Sequence, residues 1–244
     1  MHYTSSVTRL SDLRTALTQV ADPEKAAFFP RFFKSGPGEY AEGDKFIGVT
    51  VPACRMIAKT YSDLPLADIH QLIASQWHEE RLVALIILTL QYVPADQAKR
   101  QEIYDFYLNH TAHINNWDLV DTSAYKIVGR HIYDNPTHLP TLDQLAASPV
   151  VWERRIAMVS SFYFLQQNDP AATLHMAETL VGDSHDLIQK AVGWMLREMG
   201  KRVDQQLLVE FLAHHYHTMP RTTLRYAIEH FSPATRGAYL AGII

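Results

Sequence analysis

Cysteine is nearly absent: Cys54 is the only one in 244 residues. A lone thiol excludes an internal disulfide framework and fits a reducing compartment. Long apolar runs are missing as well. The longest, Leu82 to Leu90, is too short to cross a bilayer and carries Thr89. The first residues, MHYTSSVTRLSDL, lack a basic stretch followed by an apolar one, so no secretion signal is expected. There is no excess of positive charge either. Lys and Arg number 22 against 26 Asp and Glu, for a net charge of −4. Residues 1–120 hold 11 basic and 14 acidic groups, and residues 121–244 hold 11 and 12. Global charge therefore gives no nucleic-acid signature, and any DNA-binding face must come from local segregation. With 47% hydrophobic and 20% charged residues, the composition is that of an ordinary folded chain, expected to be cytoplasmic.

Several catalytic signatures are missing too. The one Gly-rich segment, Lys34 to Phe46, lacks the strand before it, the helix after it and the Lys-Ser/Thr ending of a phosphate loop. It is expected to be a connector, with Tyr40 and Lys45 as candidate DNA contacts or parts of a lid. No Gly-x-Ser-x-Gly elbow is present, and Cys54, beside Arg55, has no evident paired base. His214, His215 and His217 cluster without companion ligands, and His78-Glu79-Glu80 lacks the second histidine of a zincin motif. For these histidines a surface or capping role is expected. No metal and no cofactor is expected.

What is present is helical. Glycines number ten, with none between Gly48 and Gly129, and apolar residues recur there at helical spacing, as in Leu82, Leu85, Ile86 and Leu90. Asp22-Pro23, Asp169-Pro170 and Ser232-Pro233 each place a capping side chain before a proline at the first helical position. Pro52 is expected to open another helix after an extended run, Phe46 to Val51. No strand–turn series is found, so the fold is all-α. Ala84, Ala124, Ala157, Ala191 and Ala227 recur in similar settings at spacings of 40, 33, 34 and 36. That period suits helix-pair repeats, each burying one face only by stacking on its neighbours. The expectation is one all-α domain over 1–244, with N-terminal helices and the Gly-rich loop in 1–50 and HEAT-like repeats in 51–244. Such a stack is a curved α-α superhelix whose concave face binds partners.

The segment Ile114-Asn-Asn-Trp-Asp-Leu-Val-Asp121 stands apart. With Asn115 or Asn116 as N-cap, Trp117 and Asp121 fall at i and i+4 on one helical face. Asp118 lies on another face, where it favours the helix N-terminus. Taken singly, Trp117 reads as a core aromatic and Asp121 as a first-turn acid. Trp152 and Arg155 share a face one unit later. Lys190, Trp194, Arg197 and Lys201 follow at spacings of four, three and four, and Arg221 and Arg225 close the series. Two readings compete. Either the tryptophans fill the core between repeats while the cations are solvated, or the pattern is a nucleic-acid groove with cations on phosphates and indoles on bases or sugars.

At these residues the sequence resembles the AlkD-like DNA alkylation repair family, HEAT-like repeat DNA glycosylases. The likeness is carried, in order, by Pro23-Glu-Lys-Ala26, Phe32 to Tyr40 with Gly-Asp-Lys-Phe46, Trp117 to Asp121, Trp152 to Arg155, and Gln189 to Glu198. It implies a superhelix gripping double-stranded DNA in its concave face. It also implies excision of cationic lesions such as 3-methyladenine and 7-methylguanine without a deep base-flipping pocket. Asp121 matches the family's catalytic carboxylate, Trp117 the aromatic beside it, Arg155 the arginine on the DNA backbone, and Trp194 the second aromatic of the cleft. Trp152, Arg154, Lys190, Arg197, Tyr40 and Lys45 are further candidate DNA contacts. The chain departs from the family prototype at Phe32, where a tyrosine hydroxyl is lost. An N-alkylated purine is already cationic and leaves without a strong general acid, so one carboxylate suffices to stabilise the oxocarbenium-like sugar and position water. The protein is expected to act as a monomer on alkylated DNA, away from membranes. The competing functions are a DNA-structure binder without excision and a HEAT-type protein–protein scaffold, the latter mildly favoured by the acidic charge.

Overall fold

The computed structural model describes residues 3–244, with side chains from residue 9 onward. By backbone proximity the chain divides into two compact units, Met1–Ser123 and Ala124–Ile244. Every extended element among the described residues is helical, apart from one isolated bridge between Lys45 and Trp77. The all-helical class expected from spacing is the class observed.

The first unit opens with α1 (Tyr3–Gln19) and α2 (Pro23–Phe32). Asp22 caps α2 by accepting from the Glu24 and Lys25 N–H groups, with Pro23 at the first position, as its sequence implies. An irregular stretch follows, then α3 (Val51–Thr60), opened by Pro52 in its first turn, and α4 (Leu66–Ile73). Helix α5 (His78–Tyr92) is buried on all sides, from His78 through Thr89, and packs against both α3 and α4. A helix apolar all round belongs at the centre of a core. Helix α6 (Gln97–Asn109) and a short 3₁₀ turn lead to α7 (Trp117–Ala124).

The second unit begins with a π-helical turn, Tyr125–Gly129, continuing into α8 (Arg130–Asp134). Then come α9 (Pro140–Ala146), α10 (Val151–Gln166), α11 (Ala171–Leu180), α12 (Asp186–Arg202), α13 (Gln205–His215), α14 (Arg221–Ala227) and α15 (Pro233–Ala241). Asp169 accepts from the Ala171 N–H, and Pro170 sits at the cap itself, one position earlier than expected. Helix α10 packs on α9, α11 and α12, and α12 packs in turn on α11, α13 and α14. That nearest-neighbour pattern is how stacked helix pairs bury faces that no single pair can bury. Ala84, Ala124, Ala157, Ala191 and Ala227 are all buried. One position is tighter still: a Cβ on Gly129 would collide with the Ser160 carbonyl of α10. The repeat therefore needs no side chain at all there, which a search on alanines does not reveal.

Candidate functional site

Helix α7 is short, and five hydrogen bonds fix it. Asn116, fully buried, is its N-cap: Oδ1 accepts from the Trp117 N–H at 2.8 Å, and the carbonyl accepts from the Val120 N–H at 3.2 Å. The same side chain donates from Nδ2 to the Phe33 carbonyl at 3.4 Å, tying α7 to the end of α2. On the inner side the Tyr107 hydroxyl lies 3.0 Å from Ser123 Oγ, which donates to the Leu119 carbonyl at 2.6 Å. Burial pushes the Tyr107 hydroxyl up and keeps it protonated; its bond to Ser123 opposes this, and the charge of Asp121 adds to it. Asp118, Leu119, Val120 and Ser123 are buried, while Trp117 and Asp121 are half-buried on the remaining face. The i, i+4 pairing expected of these two is thus the accessible side of an otherwise locked helix.

Trp117 does not stand alone. It stacks on Phe33, with centroids 5.7 Å apart and planes 22° apart, and meets Phe32 edge-on at 5.9 Å. Phe33 stacks on Phe46 at 5.2 Å. Phe32 is 50% exposed and Phe28, one turn earlier at 6.1 Å, is 57% exposed. An aromatic strip therefore runs from α2 to Trp117, half of it open to water.

Beneath the strip lies a buried ionic network that sequence reading missed. His78, Glu79, Glu80 and Arg81 are buried, which corrects the surface or capping role expected for His78. His78 Nδ1 lies 3.2 Å from Asp44 Oδ2, and Nε2 lies 2.8 Å from Asp118 Oδ2. Arg81 donates to the same Asp44 oxygen at 2.6 Å, and Asn115 to the other at 3.2 Å. Burial alone lowers the affinity of His78 for its proton. The charge of Asp118 and the hydrogen bonds to Asp118 and Asp44 outweigh burial and the repulsion of Arg81, pushing the ring up to about 9. For Asp44, burial pulls upward, but His78, Arg81 and Asn115 hold it below the usual carboxylate range. Glu79 accepts from three successive backbone N–H groups, Ile47 at 2.9 Å, Gly48 at 2.8 Å and Val49 at 3.1 Å. The legible signal was the helix itself: where α5 is apolar on every side, its charged first turn must be interior too. Cys54 is buried, and its thiol, pushed up to about 12 by burial and by Glu79 and Asp118, is no nucleophile.

Of the loop candidates, Tyr40 is half-buried, while the Lys45 side chain is exposed on a backbone pinned by the bridge to Trp77. In the second unit Trp152 is buried on α10. Arg155 is buried as well and donates to the Leu187 carbonyl at 2.6 Å. Arg154 is paired with Asp183 at 2.7 Å and donates to the Ser148 and Pro149 carbonyls. Trp194 is half-buried against Phe162 at 6.0 Å, which in turn meets Tyr125 edge-on at 5.2 Å. Lys190, half-buried, pairs with Asp186 at 2.6 Å, and Arg197 with Glu198 and Glu229. Arg154, Arg155, Lys190 and Arg197 are each held by a carboxylate or a carbonyl, and of Trp152 and Trp194 only the Trp152 indole fills the core outright.

No group of three His, Cys, Asp or Glu placed to hold a metal ion occurs among the described residues, and no helix among them is long and apolar enough to cross a membrane. The sequence model of the family described as "DNA alkylation repair enzyme" matches residues 13–231. The solved structure of a "Predicted DNA alkylation repair enzyme from Enterococcus faecalis" is similar at a TM-score of 0.67 and 18% identity. The match covers 87% of this chain and 97% of that one. No curated protein matches the sequence.

Proposed function

Because this chain belongs to the DNA alkylation repair enzyme family, which gives it a role in repairing alkylated DNA, we propose that it is a DNA glycosylase acting on cationic N-alkylated purines. The observation that carries this reading is the accessible Trp117–Asp121 face on a helix whose other sides are locked. In the reaction the C1′–N bond breaks with both electrons leaving on the alkylated purine, which departs neutral. Positive charge develops on the sugar, and the Asp121 carboxylate stabilises it electrostatically. Water adds at C1′, and its proton passes to solvent or through Asp121. The Trp117 face, fixed in orientation by Phe33, adds ~0.5–2 kcal/mol of cation–π stabilisation to the same charge.

The remaining candidates serve DNA binding in this reading. Trp194 supplies a second aromatic surface. Arg155, oriented by the Leu187 carbonyl, and Lys190 take phosphates, as do Lys45 and Arg197, with Tyr40 beside the backbone. Trp152 and Arg154 act by shaping the start of α10. The protein works as a cytoplasmic monomer on duplex DNA and needs no metal.

The test is release of 7-methylguanine from methylated duplex DNA by purified protein in chelator. Wild type should release it, and Asp121→Asn should lower the single-turnover rate by about 10²–10³-fold with DNA affinity largely kept. Retained binding without release by the wild type would replace this proposal with DNA binding alone.

A further inference from the structure

His78 has carboxylate oxygens against both of its ring nitrogens, Asp44 at 3.2 Å and Asp118 at 2.8 Å. A neutral imidazole has one N–H and one lone pair. Either tautomer would set a lone pair against a buried carboxylate oxygen, and only the doubly protonated ring donates to both. We propose that His78 is the positioning residue of the Trp117–Asp121 site, an imidazolium that fastens the start of α7 to the Gly-rich loop through Asp118 on one side and Asp44 on the other. This rests on the glycosylase reading for its consequence in catalysis, though not for the linkage itself.

The surroundings agree with a ring that is cationic at neutral pH. From the loop His78 faces Asp44 and the Phe46 ring, from the C-cap of α2 the Phe33 ring, from its own helix Arg81, and from α7 Asp118. Two cations, His78 and Arg81, stand against two carboxylates, Asp44 and Asp118. On the far side, Glu79 is engaged by the backbone of residues 47–49, and the neutral Cys54 thiol of α3 adds no charge. Removing the His78 proton would leave one uncompensated negative charge in the core. The rings transmit the consequence: Phe33 lies 4.7 Å from His78 and stacks on Trp117 at 5.7 Å. Asp118 is the residue next to Trp117 and three before Asp121, so a shift at Asp118 turns the reactive face of α7. Misplacing a catalytic group by about 1 Å costs up to about 10²-fold in rate.

The experiment uses full-length protein with ¹⁵N-labelled histidine and tryptophan. At pH 7.5 the His78 ring should carry protons on both nitrogens, and the Trp117 indole N–H should shift with the same midpoint as His78, about 9. In single-turnover release of 7-methylguanine, His78→Gln and Asp118→Asn should each lose about tenfold or more, with DNA affinity within about threefold. Both should lose the alkaline fall of the wild-type rate profile. A neutral His78 ring at pH 7.5, or variants with wild-type rate and pH profile, overturns the proposal. If His78→Gln does not fold, Asp118→Asn and the wild-type titration decide. If the wild type releases no base, the glycosylase reading falls, and the His78 claim stands or falls on whether the Trp117 indole follows its titration.

Discussion

The indole of Trp117 lies nearly parallel to the Phe33 ring, 5.7 Å between centroids, so the first residue of α7 is oriented by the residue that caps the end of α2. That stack is why a half-exposed tryptophan keeps one orientation, and a fixed π face is what a developing cation on a sugar requires. Trp117→Leu should keep the fold and lower single-turnover release by about 5–30-fold, the loss of ~1–2 kcal/mol of transition-state stabilisation. Phe33→Leu should give a smaller loss in the same direction, although Phe33 is remote from Asp121 in sequence. Equal rates for Trp117→Leu and wild type would remove Trp117 from the chemistry.

Glu79 is a backbone clamp. Its carboxylate holds the N–H groups of Ile47, Gly48 and Val49, and Glu79→Ala orphans all three. The expected cost is roughly 3 kcal/mol or more, read as a lower midpoint in urea unfolding. Glu79→Gln retains one oxygen acceptor and should lose about half as much.

Gly48 allows no side chain. Its φ is +90°, and a Cβ there would collide with the Asp22 carbonyl at the start of α2. Gly48→Ala should destabilise the protein by about 2–4 kcal/mol, combining left-handed strain with a backbone collision. A melting curve indistinguishable from wild type would refute the close approach.

Stability should also depend on pH through His78. Its folded value is raised, from 6.5 to about 9. Its contribution, on the order of 3 kcal/mol, is therefore fully present below pH 6.5, declines above it and is gone beyond pH 9. Asp44 works in the other direction. Held below its ordinary 3.8, it adds stability above that pH, which is lost as acid titrates it through its lowered folded value. Urea unfolding of wild type and His78→Gln across pH 6–10 should show two curves that converge at the alkaline end. Parallel curves would mean that the ring is neutral.

Much of the fold is legible in the sequence. Helices followed from apolar spacing, Asp22-Pro23 and Ser232-Pro233 marked true helix starts, and Trp117 with Asp121 fell on one face because i and i+4 share a face in any α-helix. The Asn116 cap was one of two choices, and only the packed structure separated it from Asn115, whose side chain reaches Asp44 instead.

The sequence by itself determined the helical class, the repeat spacing and the pairing of aromatic and acid on α7, since these rest on interactions within a turn or two of the chain. Tertiary structure alone decided what surrounds them. Asp44, His78 and Asp118 are 34 and 40 residues apart in sequence and meet through ring nitrogens at 3.2 and 2.8 Å. Trp152 is core where Trp194 is half-open, and Arg154 is held by Asp183 across 29 residues. No local pattern encodes such meetings, because burial and charge pairing depend on which distant segment packs against a residue, and that sets whether an ordinary histidine stays neutral or becomes a buried cation.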